Sequence, residues 1–162
     1  MRKYVDQKLN IVKVRAIDVS SEDYFNENGF FVRAETAGNI VYVPFMHFHS
    51  STVSYSIASN VATIVLADAL PSDVEIGDSV YISGMTNTAI NGTFVLTDVS
   101  DSTIEFDVST DDDEGEDTGG LVFHYPITKN FDASYIFNDP ELVKLIISTN
   151  TTADDIYVGY AR

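Results

Sequence analysis

Gly77-Asp78-Ser79-Val80-Tyr81-Ile82-Ser83-Gly84, followed by Asn91-Gly92-Thr93-Phe94-Val95-Leu96, is the stretch on which the fold turns. Val80 and Ile82 alternate with Ser79, Tyr81 and Ser83, and a side-chain period of two belongs to a half-buried strand. Asn91-Gly92 offers the positive φ of a tight turn between two β-runs. On the N-terminal side, residues 53–57 and 61–66 are β-branched runs separated by Ala58-Ser59-Asn60, and Pro71-Ser72-Asp73 interrupts the chain before Gly77. On the other side Asp101-Ser102 turns the chain into residues 103–108, where Ile104, Phe106 and Val108 share one face. Five short strands at close, even spacing predict a small antiparallel barrel or sandwich, not a βαβ unit.

Charge sets the limits of this stretch. Basic residues stand at Arg2, Lys3, Lys8, Lys13, Arg15 and Arg33, then not again until Lys129, Lys144 and Arg162, whereas acids occur throughout. The switch from mixed to single-sign charge predicts an inserted acidic module over residues 51–122, with residues 1–50 and 123–162 as two parts of one host β domain. Over the whole chain, 9 Lys and Arg against 25 Asp and Glu give a formal net charge of −16, which repels phosphate backbones and anionic lipid. Nucleic acid and membrane are therefore not expected as partners. With 44% hydrophobic residues among 162, the chain can bury one real core or two small ones. It has no cysteine, so disulfides, thiolate zinc sites and cysteine nucleophiles are excluded. Residues 5–14 are broken by Asp6, Lys8 and Lys13, and no apolar signal core is read there.

The pattern Gly77-Asp78-x-Val80-x-Ile82-x-Gly84, then Asn91-Gly92-x-Phe94-x-Leu96, then Thr103-Ile104-x-Phe106 resembles a small β-barrel module found in many phage tail and capsid-associated proteins. A similar module is likened to the first catalytic cysteine half-domain of ubiquitin-activating enzymes. The resemblance covers roughly residues 53–122 and implies fold alone; no ubiquitin-related chemistry is implied in a chain without cysteine. In the flanks, Phe31-Val32-Arg33-Ala34-Glu35-Thr36-Ala37-Gly38 and Thr151-Thr152-Ala153-Asp154-Asp155-Ile156-Tyr157-Val158-Gly159-Tyr160 resemble phage virion structural proteins. That likeness implies a host in which the two phrases are contiguous and which the barrel interrupts here.

The flanks themselves read as all-β, a sandwich or barrel host. Residues 11–19, 30–34 and 40–45 are expected strands, with turn signals at Glu27-Asn28-Gly29 and Ala37-Gly38-Asn39, and the C-terminal flank resumes with a strand over 121–125. Neither half has enough strands alone. Asp139-Pro140-Glu141 reads as an N-cap and first helical position, predicting a helical turn over 140–145; the competing reading is a strand over 142–148. Ile156, Val158 and Tyr160 alternate as a final strand.

Catalytic templates fail one by one: no Gly-x-Ser-x-Gly elbow, phosphate loop or dinucleotide fingerprint is present, and no enzymatic activity is expected. The run Asp111-Asp112-Asp113-Glu114-Gly115-Glu116-Asp117 has oxygens for calcium but not the helix-loop-helix spacing, and a solvated loop kept open by like charges accounts for it as well. Tyr24, Phe25, Phe30 and Phe31 could line a sugar groove; the competing reading is core. His47 and His49 are two apart, so an extended segment points both to one face, and the insertion brings them toward His124. The three histidines are the candidate divalent metal site, with zinc the ion that neutral imidazoles suit; the alternative is polar residues at a junction, with no cofactor.

These readings converge on a non-enzymatic phage virion structural protein, a capsid decoration or head and neck accessory protein, located in the virion and, during assembly, in the cytoplasm of the infected bacterium. Its expected partners are the major capsid or the neck and tail proteins. Phe25, Phe30, Phe31, Phe45, Phe48, Phe131, Tyr135 and Phe137 are a heavy apolar load for the flanks, so a homo-oligomer through them is expected, a homotrimer before a dimer. The alternative function is a carbohydrate- or receptor-binding module of a phage tail or fibre.

Overall fold

The computed structural model describes residues 11–34, 36–131, 142–153 and 156–161. Three strands precede the acidic stretch: β1 (Ile11–Ile17), β2 (Tyr24–Ala34) and β3 (Gly38–Pro44). Seven belong to it: β4 (His49–Ala58), β5 (Val61–Leu66), β6 (Ser79–Ser83), β7 (Gly92–Ser100), β8 (Thr103–Asp107), β9 (Asp113–Glu116) and β10 (Leu121–His124). Then come β11 (Ile127–Phe131), β12 (Val143–Ile147) and β13 (Ile156–Ala161). The protein is all-β, and it divides into two compact units, Met1–Phe45 with Ile127–Arg162, and Met46–Pro126. No helix among the described residues is long and apolar enough to cross a membrane.

The flanks make one six-stranded antiparallel sheet in the order β1-β13-β2-β12-β3-β11. N-terminal and C-terminal strands alternate across it, so each interior strand takes both its partners from the other flank. This is why neither flank can complete the sheet's hydrogen bonds alone. Alternation sets the core: Phe30, Val32 and Ala34 of β2, Ile40 and Tyr42 of β3, and Ile156 and Val158 of β13 bury one face, joined by Val143 and Ile146 of β12. Every residue of β12 is buried, Lys144 included, with its Nζ 5.4 Å from the centre of the Phe45 ring. Burial pushes the Lys144 ammonium below its ordinary pKa.

Two readings of the flanks change. The apolar run after Leu142 is a strand, not a helical turn, because β2 and β3 bracket it in register; Asp139-Pro140-Glu141 lies outside the described residues. Glu27-Asn28-Gly29 does not end a strand. Against β12, Phe25 pairs with Leu145 and Phe30 with Val143, so Asn26, Glu27, Asn28 and Gly29 bulge out opposite Lys144 alone. Asn26 Oδ1 accepts the Asn28 N–H at 2.9 Å, and Gly29 takes φ +70° where a Cβ would lie 2.7 Å from Phe45 Cδ2.

The middle unit is a closed barrel. Its ring runs β4-β5-β8-β7-β6-β10 and returns from β10 to β4, every pair antiparallel. Closure removes the free edges of a small sheet. Ala62, Ile64 and Leu66, Val80 and Ile82, Leu96, Ile104 and Phe106, and Val122 fill the interior with one face of each strand, and Met85 and Ile90 join them from the β6–β7 connection. β9 pairs with β4 further along than β10 does, so the closing edge is one strand broken at residues 117–120. Phe48, grouped with the flanks by sequence, packs against this core.

The unit is wider than residues 51–122. The strand expected to begin the returning host is β10, and His49↔Phe123 on one side with Val80↔His124 on the other ties it into the barrel. Ser59 and Asn60, at φ 54° and 66°, form the two-residue left-handed turn that joins β4 to β5. Asn91-Gly92 is not such a turn. Residues 84–91 join β6 to β7 through a 3-10 turn (Thr88–Ile90) capped by Asn87, and Gly92 opens β7 at φ +133°. A Cβ there would meet the Phe94 ring at 3.9 Å, an ordinary van der Waals contact, so the cost of a side chain is in the backbone. Gly92→Val is expected to cost about 1 kcal/mol or more, read as a lower melting midpoint; an unchanged midpoint would show that the conformation is not required.

Candidate functional site

The three histidines sit near the ends of β4 and β10, yet they do not converge. His47 lies in a bend before β4, where the two-residue spacing no longer sets its direction. His49 pairs directly with Phe123 across the barrel closure and stacks on its ring, centroids 5.8 Å apart at 14°. His124 follows Phe123 in the strand and so points to the opposite face from His49. It is buried, and its Nε2–H donates to Asp78 Oδ2 at 2.9 Å. Asp78 in turn is held below its ordinary carboxyl pKa, first by the Glu75 N–H and then by His124. His47 Nδ1–H donates to the Tyr125 carbonyl at 3.2 Å, and its ring centre is 6.3 Å from that of His124. The nitrogens that face partners are thus donors, not metal lone pairs, and among the described residues no group of three His, Asp or Glu is arranged to hold an ion. Of the candidate metal residues, His47 and His124 lie close together, and His49 lies across the strand from them.

The acidic run is not an open loop. Asp112 Oδ1 accepts the Ser59 N–H at 2.9 Å, pinning the β4–β5 turn. Asp113 Oδ2 accepts from Tyr55 Oη–H and Asn87 Nδ2, each at 2.8 Å, and those bonds draw its pKa down. Asp117, buried in the strand break, accepts the Thr86 N–H at 2.6 Å and the Gly119 N–H at 3.1 Å. At the break itself Asp117 supplies the side-chain acceptors, while the Thr52 N–H donating to the Gly120 carbonyl at 2.9 Å and the Asp117 N–H donating to the Val53 carbonyl at 3.2 Å keep the edge on β4.

Glu114 and Glu116 remain exposed, and they wall a groove of about 450 Å³ on the barrel exterior. Ser54 and Ser56 of β4 line it between those glutamates and Thr63 and Val65 of β5. The registers set two rungs, Glu116·Ser54·Val65 and Glu114·Ser56·Thr63·Glu105, with the Thr63 hydroxyl donating to Glu105 at 3.1 Å. Hydroxyls and carboxylates in rows can accept hydrogen bonds from a polar ligand. Alternation in Ser54-x-Ser56 and Glu114-x-Glu116 is visible in the chain, but their adjacency depends on the β4–β9 register. The aromatics in the flank do not form a groove of this kind: Phe30 is fully buried with Tyr24 edge-on at 5.1 Å. Burial and a hydrogen bond to the Tyr160 hydroxyl push the Tyr24 phenol up to about 12.

Asp117 gives the barrel an acid-sensitive joint. The Thr86 N–H, with Gly119 after it, holds the carboxyl below 3.8, its ordinary value. A folded pKa below the unfolded one stabilises the native state above the unfolded value and loses that contribution as pH falls through the folded one. Asp78 and Asp113 act in the same direction, whereas protonating the surrounding carboxylates relieves repulsion and acts against it. Asp117→Asn is expected to lower the urea midpoint at neutral pH and to flatten its fall as the pH drops below the ordinary carboxyl value of 3.8; parallel curves for the two proteins would refute the role. Comparison of the chain with known protein families and with curated proteins finds no match.

Proposed function

We propose that this chain is a non-catalytic structural component of a bacteriophage particle, a capsid decoration or head and neck accessory protein that assembles as a symmetric oligomer, a trimer, through its flanking sheet. The observation that carries the reading is the segregation of charge by folding unit. Met46–Pro126 contains 14 Asp and Glu and no Lys or Arg, and it closes on itself; every basic residue belongs to the flanks. A closed, single-sign module whose one open strand, β9, is short and acidic resists nonspecific sticking and repels copies of itself, which suits outward display. A mixed-charge sheet suits contact with an acidic partner surface such as the major capsid, neck or tail proteins. The phage-like phrases at residues 31–38 and 151–160 and the barrel pattern at 77–106 support the same reading. The protein then resides in the virion, and in the cytoplasm of the infected bacterium during assembly. Mass spectrometry of purified particles tests this: a fixed copy number in the shell is expected, and absence from the particle overturns it.

The second reading, a carbohydrate- or receptor-binding module of a tail or fibre, is favoured by the hydroxyl- and carboxylate-lined groove beside Ser54 and Ser56. Specific glycan-array binding that is lost in Glu114→Gln with Glu116→Gln would place it first.

A further inference from the structure

The chain contains two Asn-Gly dipeptides, Asn28-Gly29 and Asn91-Gly92. By sequence they are chemically equivalent. The nitrogen of a residue that follows asparagine can attack the side-chain amide carbon; a C–N bond forms, ammonia leaves, and a five-membered succinimide results. Water then opens the ring at either carbonyl, giving aspartate or isoaspartate. Glycine as the following residue leaves the attacking nitrogen unhindered, because it has no Cβ.

The fold separates the two. Asn91 Oδ1 accepts the Met85 N–H and Asn91 Nδ2 donates to the Met85 carbonyl, both at 2.9 Å, and the side chain is half-buried. Both bonds must break before its amide carbon can rotate toward the Gly92 nitrogen. Asn28 is exposed, and its side-chain amide makes no hydrogen bond among the described residues. It also stands in the β2 bulge, between the register pairs Phe25↔Leu145 and Phe30↔Val143, where the backbone is out of the ladder. We propose that Asn28 is a site of spontaneous deamidation, with water as the only co-reactant, and that the fold protects Asn91 from the same reaction.

The product alters the flanking sheet. Conversion takes the formal net charge from −16 to −17, and the isoaspartyl form inserts a backbone methylene next to Gly29, which already packs against the Phe45 ring with no room for a Cβ. Aged protein is therefore expected to melt lower than fresh protein.

Incubation of the full-length protein in mildly alkaline buffer, followed by peptide mapping with isoaspartyl methyltransferase as the probe, tests this. Loss of two hydrogen bonds makes the Asn91 peptide react about tenfold or more slowly than the Asn28 peptide in the folded protein. In denaturant the two rates should approach one another. Equal rates in the folded protein, a faster Asn91, or an Asn28 that reacts only in denaturant would each overturn the proposal.

Discussion

Replacing residues 46–126 by a short Gly-Ser turn should leave a protein that still folds cooperatively. Ile127 pairs with Tyr42, so the chain leaves the flanking sheet and re-enters it on adjacent strands, and the shortened link makes β3 and β11 an ordinary hairpin. All six strands of the sheet come from the flanks, as do the core residues around Phe30, Tyr42 and Ile146. The entropy of closing a loop grows only slowly with its length, so removing the long excursion does not undermine its host. The excised barrel should fold as well, because its ends are paired through His49 and Phe123. Circular dichroism with urea titration of both pieces decides the matter. A flank protein without a cooperative transition would mean that its sheet depends on the barrel for stability. The cut belongs at 46 and 126: removing only residues 51–122 leaves unpaired remnants of β4 and β10 attached to the sheet.

Phe106→Ala should bring the barrel close to unfolding. Phe106 is fully buried, lies opposite Ala62 on β5 and Leu96 on β7, and stacks on Phe94 with ring centres 4.3 Å apart. The small Ala62 is complementary to the large ring, and no neighbouring strand can move inward without breaking the closed ladder. Truncation of a buried Phe costs about 3–5 kcal/mol, against a total of roughly 5–15 kcal/mol for a typical domain. Equilibrium denaturation of the isolated unit, residues 46–126, gives the value directly. A loss below about 1 kcal/mol would show that the ring fills no irreplaceable volume.

Much of the barrel is legible in the chain. Val80 and Ile82, Ile104 and Phe106, and Ala62 through Leu66 carry the two-residue period of strands with one buried face, and the absence of Lys and Arg marks their common unit. The host strands around Phe30, Ile40 and Ile156 are legible for the same reason. The candidate site is less so. That His49 and His124 fall on opposite faces depends on one pairing, His49↔Phe123, which no single segment encodes.

By itself, then, the sequence determined most of the strands, the alternating side chains they bury and the approximate place of the single-sign module, because periodicity and charge are properties of one stretch of chain; the strands β9, β11 and β12 were not fixed by it. Only the tertiary structure decided that Leu121–His124 closes the barrel, that Glu27-Asn28-Gly29 bulges within a strand, that Phe48 packs on the barrel core, and that Glu114 and Glu116 face Ser56 and Ser54. Each of these depends on the register between two strands distant in sequence, and register is set by the backbone hydrogen bonds and packing that both strands satisfy at once.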